Sequence, residues 1–583
     1  MLTYVADWMS TNRKLILYRR ERPSAGLNLT CRSAIVRRRV DPPLPQFEET
    51  FVTRSPITLD RRGFLKVSGL TVGGLALANL VAACGGEASV DGARNLTLRM
   101  PFLQDMQVPD PDIMYEGEGV QVMSACYEGL VNYKSGTSEI VPGLAESWTV
   151  SEDQLTYTFK LVPDVTFHDG TAADAAAWIK SFERRAAINE GPAYMVAGIA
   201  KSEAPDPTTL VVTLTEPNNA FLHYAACPWQ MFAVSPTAVE SNAVGDDLAQ
   251  EWLKTHDAGT GPYVMKEFVP GSQYTLERFD GYWGEEPYFE SIRIEIVPEI
   301  STQKLQLDQG AFDLVAKGFA IPDVLTYQQN ANFNTITVPG STVIVLWMNF
   351  NAGIFADKAL RQAMMTALDR AAIVEIAFQG LTPMQANFWP ENMFPEGLVP
   401  FDPPVDTGPL EAIVPTLASK NVDLAWVTSY GAPGQQVAEL IQTQLAPTGL
   451  EITVRAMPSA ESFDLANQPA ERRPDLMVAG IGGDALHLDT AMRIFLRTGA
   501  KPLNYFQYGN PEVDRLMDEA ITKPTDTETN QVYLQITETI QDEALWVPLC
   551  RRMDTTITQA QIDGFVGNSY LPYVFDAGVI RRA

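Results

Sequence analysis

The sequence predicts an α/β protein, and three stretches carry the prediction. From Val422 the apolar pattern runs strand, helix, strand: Leu424–Thr428, Val437–Leu445, Ile452–Val454, a helix near Ser462, then Leu476–Ala479. That alternation builds βαβ units on a parallel sheet. Val343–Phe350 (VIVLWMNF) is apolar on both faces, which suits a central strand covered on both sides. Between Val141 and Gly170 the period is two instead. Leu155, Tyr157, Phe159 and Leu161 share one face, and Thr156, Thr158 and Lys160 the other. Pro163-Asp164 breaks that strand, Val165 and Phe167 restart it, and His168-Asp169-Gly170 turns the chain.

Residues 1–83 read as a leader and stand apart from the fold. Asp60-Arg61-Arg62-Gly63-Phe64-Leu65-Lys66 resembles a twin-arginine export motif, with Arg61 and Arg62 as its pair. The 17 residues Val67–Ala83 are uncharged and short for a spanning helix, as a signal h-region is. Val81-Ala82-Ala83-Cys84 resembles a lipobox, which makes Cys84 the lipidated first residue of the mature chain. No Met lies between Met9 and Met100, and translation is expected to start at a valine codon such as Val52. Residues 84–94 are small and polar, a lipid anchor and tether.

The whole chain has 43 Lys+Arg and 71 Asp+Glu; without the 13 basic and 6 acidic residues of 1–83 these fall to 30 and 65, a net charge of −35. Such a surface repels nucleic acid. Cys126, Cys227 and Cys550 remain, far apart, so at most one disulfide forms and none is implied. The four histidines, His168, His223, His256 and His487, show no metal-ligand spacing. His487 with Asp484 and Asp489 has neither a second histidine nor a thiolate beside it, and no metal or other cofactor is expected. No nucleophile elbow or phosphate loop occurs. His168-Asp169 reads as a turn rather than an acid–base couple, and Glu285-Glu286 as a solvated pair.

The remaining elements follow in order. Leu96–Leu103 is a strand, Val120–Leu130 a helix, Asp174–Ala187 a helix with Trp178 and Phe182 on one side, and Leu210–Thr215 a strand. Gln273–Phe279 and the run Ile292, Ile294, Ile296 are strands. Asp357–Gly380 is the clearest helical stretch, with Leu360, Ala363, Met364, Ala367, Leu368 and Ala371 at helical spacing. Asn510 opens a terminal helix pair, and Trp546–Leu549 is a return strand.

Particular words in these elements point further. YEGL (127–130), LAESW (144–148), LTYTFKL (155–161), VTFHDGT (165–171), GTGPY (259–263), LQLDQGAFDL (305–314) and NPEVD (510–514) occur in this order. Together they resemble the extracellular solute-binding proteins, family 5, from about Leu96 to the C-terminus. The resemblance implies a two-lobed periplasmic-binding-protein type II fold, a Venus flytrap with an extra inserted domain. Lobe I takes 95–130, 255–350 and 555–583, the inserted small domain 131–254, and lobe II 351–554. It implies a binding protein rather than an enzyme, which captures a solute, a peptide in the commonest case, between its lobes. The partners are then an ABC permease with its ATPase subunits. The receptor is a monomer held by lipid outside the cytoplasm, in the periplasm or on the outer face of the cell membrane. The rival readings are an exported lipoprotein enzyme such as a hydrolase, and a receptor that signals without transport.

The resemblance also marks a site. Asp484 lies beyond the strand Leu476–Ala479, after Gly480, Gly482 and Gly483. Ligands of open α/β sheets bind at carboxyl ends of strands. In the peptide-binding branch an aspartate at this place pairs with the ligand's α-amino group. Ile481, Gly482, Gly483 and Trp347, the last on the strand that crosses between lobes, complete the expected ligand-binding set. The bland alternative makes Asp484 the cap of a helix starting near Leu488. No Lys or Arg lies between Arg473 and Asp484, so a dipeptide-only specificity is not expected.

Overall fold

The computed structural model describes residues 96–583, apart from 394, 396 and 569, and a short strand pair, Ala6–Asp7 with Ile16–Leu17. The expected export motif, lipobox and tether, with Arg61, Arg62 and Cys84, lie outside the described residues. Residues 94–583 form one compact unit.

Three sheets organise that unit. Thr97–Phe102 joins Ser291–Ile296 in parallel, and Tyr263–Val269 and Gln273–Arg278 complete a four-stranded sheet. A second sheet of four antiparallel strands, 145–150, 156–161, 209–214 and 199–206, makes the small domain. Tyr157, Phe159 and Leu161 face inward there, and the alternation read from sequence holds. The helix Ala175–Ile188 packs on it through Trp178 and Phe182. Asp174 starts this helix by accepting from the Ala177 amide at 3.0 Å. Asn189, left-handed at φ 54°, ends it.

The third sheet has six strands in the order 314–315, 546–559, 333–348, 476–481, 421–427, 451–457. The last three are parallel, as the strand–helix–strand pattern predicts. Phe333–Met348 and the return strand Trp546–Gln559 run antiparallel beside them, so the sheet is mixed. Residues 333–338 of the crossover strand pair only with 554–559, whereas 343–347 pair with both 546–551 and 477–481. The register slips between Pro339 and Val343. The crossing therefore falls at 339–343. The expected lobe I range ran to 350, a few residues beyond this slip. A continuous apolar run gives no sign of a bulge inside it.

Two helices also differ from expectation. The stretch 357–380 is two helices, Lys358–Ala367 and Arg370–Phe378. Leu368 is extended, and Asp369 caps the second helix through the Ala372 amide at 2.9 Å. The helix expected over 120–130 runs instead from Gly117 to Cys126. Tyr127 leaves it to bond the Ala258 amide, and Glu128 accepts from Thr260, Tyr282 and Trp283. Cys126, Cys227 and Cys550 are buried free thiols. His168 pairs with Asp257, while Asp169 accepts from Ser235 and Thr171, so the adjacent pair does separate structural jobs. Among the described residues no helix is long and apolar enough to cross a membrane.

Candidate ligand-binding site

The site begins where the strand Leu476–Ile481 ends. Every residue of this strand is buried, so its end is fixed by the core on both faces. The chain then turns through Gly482 and Gly483 to Asp484. A Cβ on Gly482 would lie 2.9 Å from the Ser341 carbonyl, and one on Gly483 would lie 2.1 Å from Thr490 Oγ1. These glycines seat the turn against the crossing strand and the helix Leu488–Leu496. That helix is capped by His487, whose Nδ1 accepts from the Asp489 amide at 3.3 Å. Asp484 is not the cap.

The facing wall is built by a buried ion network. Residues 103–116 have no helix or strand of their own, yet Asp110 and Asp112 anchor them to the small-domain helix Ala175–Ile188. Arg184 bonds Asp110 at 2.6 Å and Asp112 at 2.5 Å, and Arg185 bonds Asp112 at 2.7 Å. All four are buried, where such pairs are firm only when most of their hydrogen bonds are made. Past Asn189 the chain enters a tight turn, Gly191–Met195. Gly191 has φ +45°, and a Cβ there would lie 2.8 Å from the Ile113 carbonyl. This close approach sets Tyr194 beside Tyr115, with their hydroxyls 3.4 Å apart.

Both phenols donate to Asp484 across the cleft. Tyr194 OH lies 2.6 Å from Asp484 Oδ2, and Tyr115 OH bonds the same oxygen. Oδ1 takes no hydrogen bond from the described residues. Burial pushes the Asp484 carboxyl up, and the two phenols pull it partly back. Burial and the Asp484 charge raise both tyrosines, so they stay protonated donors. Tyr115 and Tyr194 nevertheless keep 37% and 42% of their surface accessible. The two phenols and Asp484 thus line the cleft between these walls, the chamber of the candidate site. Trp229 extends the wall, 5.1 Å from the Tyr115 ring and 5.7 Å from Tyr570. Its Nε1 is buried with no partner among the described residues.

Of the five residues expected at the ligand, Asp484 faces this chamber. Ile481 and Trp347 are 0% and 1% exposed, in the core. Trp347 packs against Phe495, Tyr505, Phe506 and Trp546. Gly482 and Gly483 shape the turn. The His487 ring packs tilted 4.9 Å from His223, and Asp489 bonds Arg493, so neither joins Asp484 in a ligand set. Among the described residues no acidic, His and Cys cluster is grouped to hold a metal. Sequence reading missed Tyr115, Tyr194 and Trp229. They sit in irregular segments, where no periodicity singles out a tyrosine.

Two sheet-based lobes joined by crossing strands, with an aromatic chamber and a half-occupied carboxylate between them, define a solute receptor of the cleft-closing class. Residues 139–502 match the model of the bacterial extracellular solute-binding proteins, family 5, middle region, and the chain belongs to that family. It is 26% identical over 485 residues to the probable D,D-dipeptide-binding periplasmic protein DdpA of Escherichia coli K12, covering 82% of this chain and 93% of that one. It is 26% identical over 511 residues to the glutathione-binding protein GsiB of Escherichia coli O6:K15:H31, covering 85% and 96%. The fold matches the periplasmic binding protein DppA of Helicobacter pylori with peptide STSA, at a TM-score of 0.68 and 21% identity, over 83% of this chain and 98% of that one.

Proposed function

We propose that this solute-binding protein captures a peptide by its free amino end and delivers it to the permease and ATPase of an ABC importer. One observation carries the reading. Asp484 is desolvated and accepts from two phenols on one oxygen, and the other takes no hydrogen bond from the described residues. An ammonium supplies both the missing donor and the missing charge. Relatives named for a D,D-dipeptide and for glutathione, and a fold relative holding a peptide, support the peptide class.

The test is binding of short peptides with free and acetylated amino ends. Truncating one partner of a buried charge pair costs about 2–5 kcal/mol, more than tenfold in affinity. Asp484→Ala therefore weakens the free-amino peptide severely, and the acetylated one, already weak on wild type, loses little more. Equal binding of both forms by the wild type disposes of the reading.

We further propose that Arg61 and Arg62 direct twin-arginine export and that Cys84 carries the lipid anchor. Cys84→Ser then releases soluble or unprocessed protein from the membrane fraction. Wild type that is freely soluble after export removes the anchor.

A further inference from the structure

His168 and Asp169 are neighbours that hold different parts of the molecule. Asp169 accepts from Ser235 and Thr171 on the small-domain side. His168 reaches the other way, to the segment 257–265 that leads into the strand Tyr263–Val269 of the first sheet. Its backbone amide donates to the Gly259 carbonyl at 2.9 Å. Its side chain is 4% exposed, and that of Asp257 0%.

What the ring meets fixes its protonation. Nδ1 lies against Asp257 Oδ1, and Nε2 lies 3.0 Å from the Gly261 carbonyl. A carbonyl oxygen only accepts, so Nε2 carries a proton. Asp257 also accepts from the Met265 amide at 2.6 Å and the Gly259 amide at 3.4 Å, which favours its carboxylate form. Nδ1 therefore carries a proton as well, and a ring with two donors is an imidazolium. Burial opposes that charge, yet Asp257, the Gly261 carbonyl and Glu128 together raise His168 above its ordinary value. The surrounding titratable groups are consistent with it. Burial pushes Glu128 up to about 7, while Trp283, Tyr282, Thr260 and the His168 charge pull it back. Burial, and after it the Asp257 charge, keeps Cys126 and Tyr127 neutral. The His168 charge also acts on Asp169.

The segment has no room to yield. A Cβ on Gly259 would lie 2.0 Å from the Cys126 carbonyl, and one on Gly261 2.5 Å from the Ala125 carbonyl, so the turn is pressed onto the end of the helix Gly117–Cys126. If the ring loses one proton to solvent, a single donor is left. The charged acceptor, Asp257, keeps it. The Gly261 carbonyl then faces a lone pair in a buried site, where an unmet acceptor is costly.

We propose that His168 is held as an imidazolium and acts as a pH-sensitive joint between the small domain and the first sheet, tight while charged and loosened when it loses its proton on the alkaline side. A histidine whose folded value is raised contributes stability that is full below its free value of 6.5 and is lost as pH rises through the folded value.

Nuclear magnetic resonance of the protein labelled with 15N-histidine reads the protonation of each ring nitrogen. The variants His223→Gln, His256→Gln and His487→Asn assign three of the four rings and leave His168 by elimination. At pH 7 both of its nitrogens should be protonated. One bare nitrogen at that pH overturns the proposal. Urea unfolding is then compared between pH 7, above the Glu128 range, and pH 8, below the thiol range. The wild-type folding equilibrium should fall by up to about tenfold across that unit. His168→Gln keeps one donor and should remove the fall, and an equal fall in the variant overturns the joint. Hydrogen exchange in wild type needs no variant. Corrected for the intrinsic rate, exchange in 165–171 and 257–265 should quicken at the pH where the ring loses its proton. Unchanged protection across that step overturns the joint.

Discussion

Two contacts join the lobes within a few residues of each other, and they are built in opposite ways. At Asp484 a carboxylate meets two phenols, one oxygen is bare, and the tyrosines keep much of their surface accessible. At His487 the contact is closed by a helix cap and ring packing. Its Nδ1 caps a helix, and its ring packs 4.9 Å from His223 and 5.9 Å from Tyr533. Tyr133 ties the pair together, its hydroxyl 3.1 Å from His223 Nδ1 and 2.9 Å from the Leu486 amide. A finished contact stabilises closure whether or not ligand is present. An unfinished one makes closure depend on what fills it. The first contact should therefore report ligand, and the second should report the position of the lobes.

The largest effect is expected from the scaffold under the unfinished contact. Tyr115 is held in place by Asp110 and Asp112 on Arg184 and Arg185, not by a helix or strand. Asp112→Ala leaves two buried guanidinium groups short of a partner, which costs about 3–5 kcal/mol. Urea unfolding should show that loss, and peptide affinity should fall although Asp484 is untouched. A variant of wild-type stability and affinity would mean that the network does not position the wall.

The finished contact should respond to pH. Burial, and after it the Arg493 charge, holds His487 at about 4; burial, and after it His487, holds His223 well below its ordinary value. Tyr133, Asp489, Arg493 and Tyr533 also face this cluster. A histidine whose folded value is depressed contributes full stability above its free value of 6.5. That contribution is lost as pH falls toward the folded value. For His487 alone the loss is about 2 kcal/mol by pH 5. Small-angle scattering of the ligand-free protein should show the lobes opening between pH 6.5 and 4. His487→Asn keeps a cap acceptor and should flatten that response. An unchanged profile in the variant would assign the opening to other groups.

The difference between the contacts also explains what the sequence shows of each. Periodicity reads the strands at 421–427, 451–457 and 476–481, because burial on a regular element imposes a regular pattern. Asp484 is legible because it follows such a strand through glycines. Its partners are not, since Tyr115 and Tyr194 stand 369 and 290 residues away in irregular segments. The break at Leu368-Asp369 is hidden for a different reason. The two helices keep apolar spacing across it, so only the backbone of one residue reveals the cap.

The smallest effect on ligand is expected at Trp347, and it separates a family-derived expectation from the packing. Trp347 sits on the crossover strand, opposite Met477 at the start of the strand that leads to Asp484, and the crossing between lobes made it a candidate ligand contact. The structure surrounds it with Phe495, Tyr505, Phe506 and Trp546, the last at 4.8 Å between ring centres. Its Nε1 is buried with no partner among the described residues, so replacing the indole removes no hydrogen bond to them. Trp347→Phe leaves an under-filled core, which costs about 1–3 kcal/mol because packing can relax only in part. That loss belongs equally to the empty and the filled protein and cancels in the binding equilibrium. Peptide affinity should therefore change less than about twofold, within 0.4 kcal/mol, while the melting temperature falls. A large affinity loss at unchanged stability would place the indole in the chamber after all, and would require the strand at 343–348 to present a different face when ligand is bound.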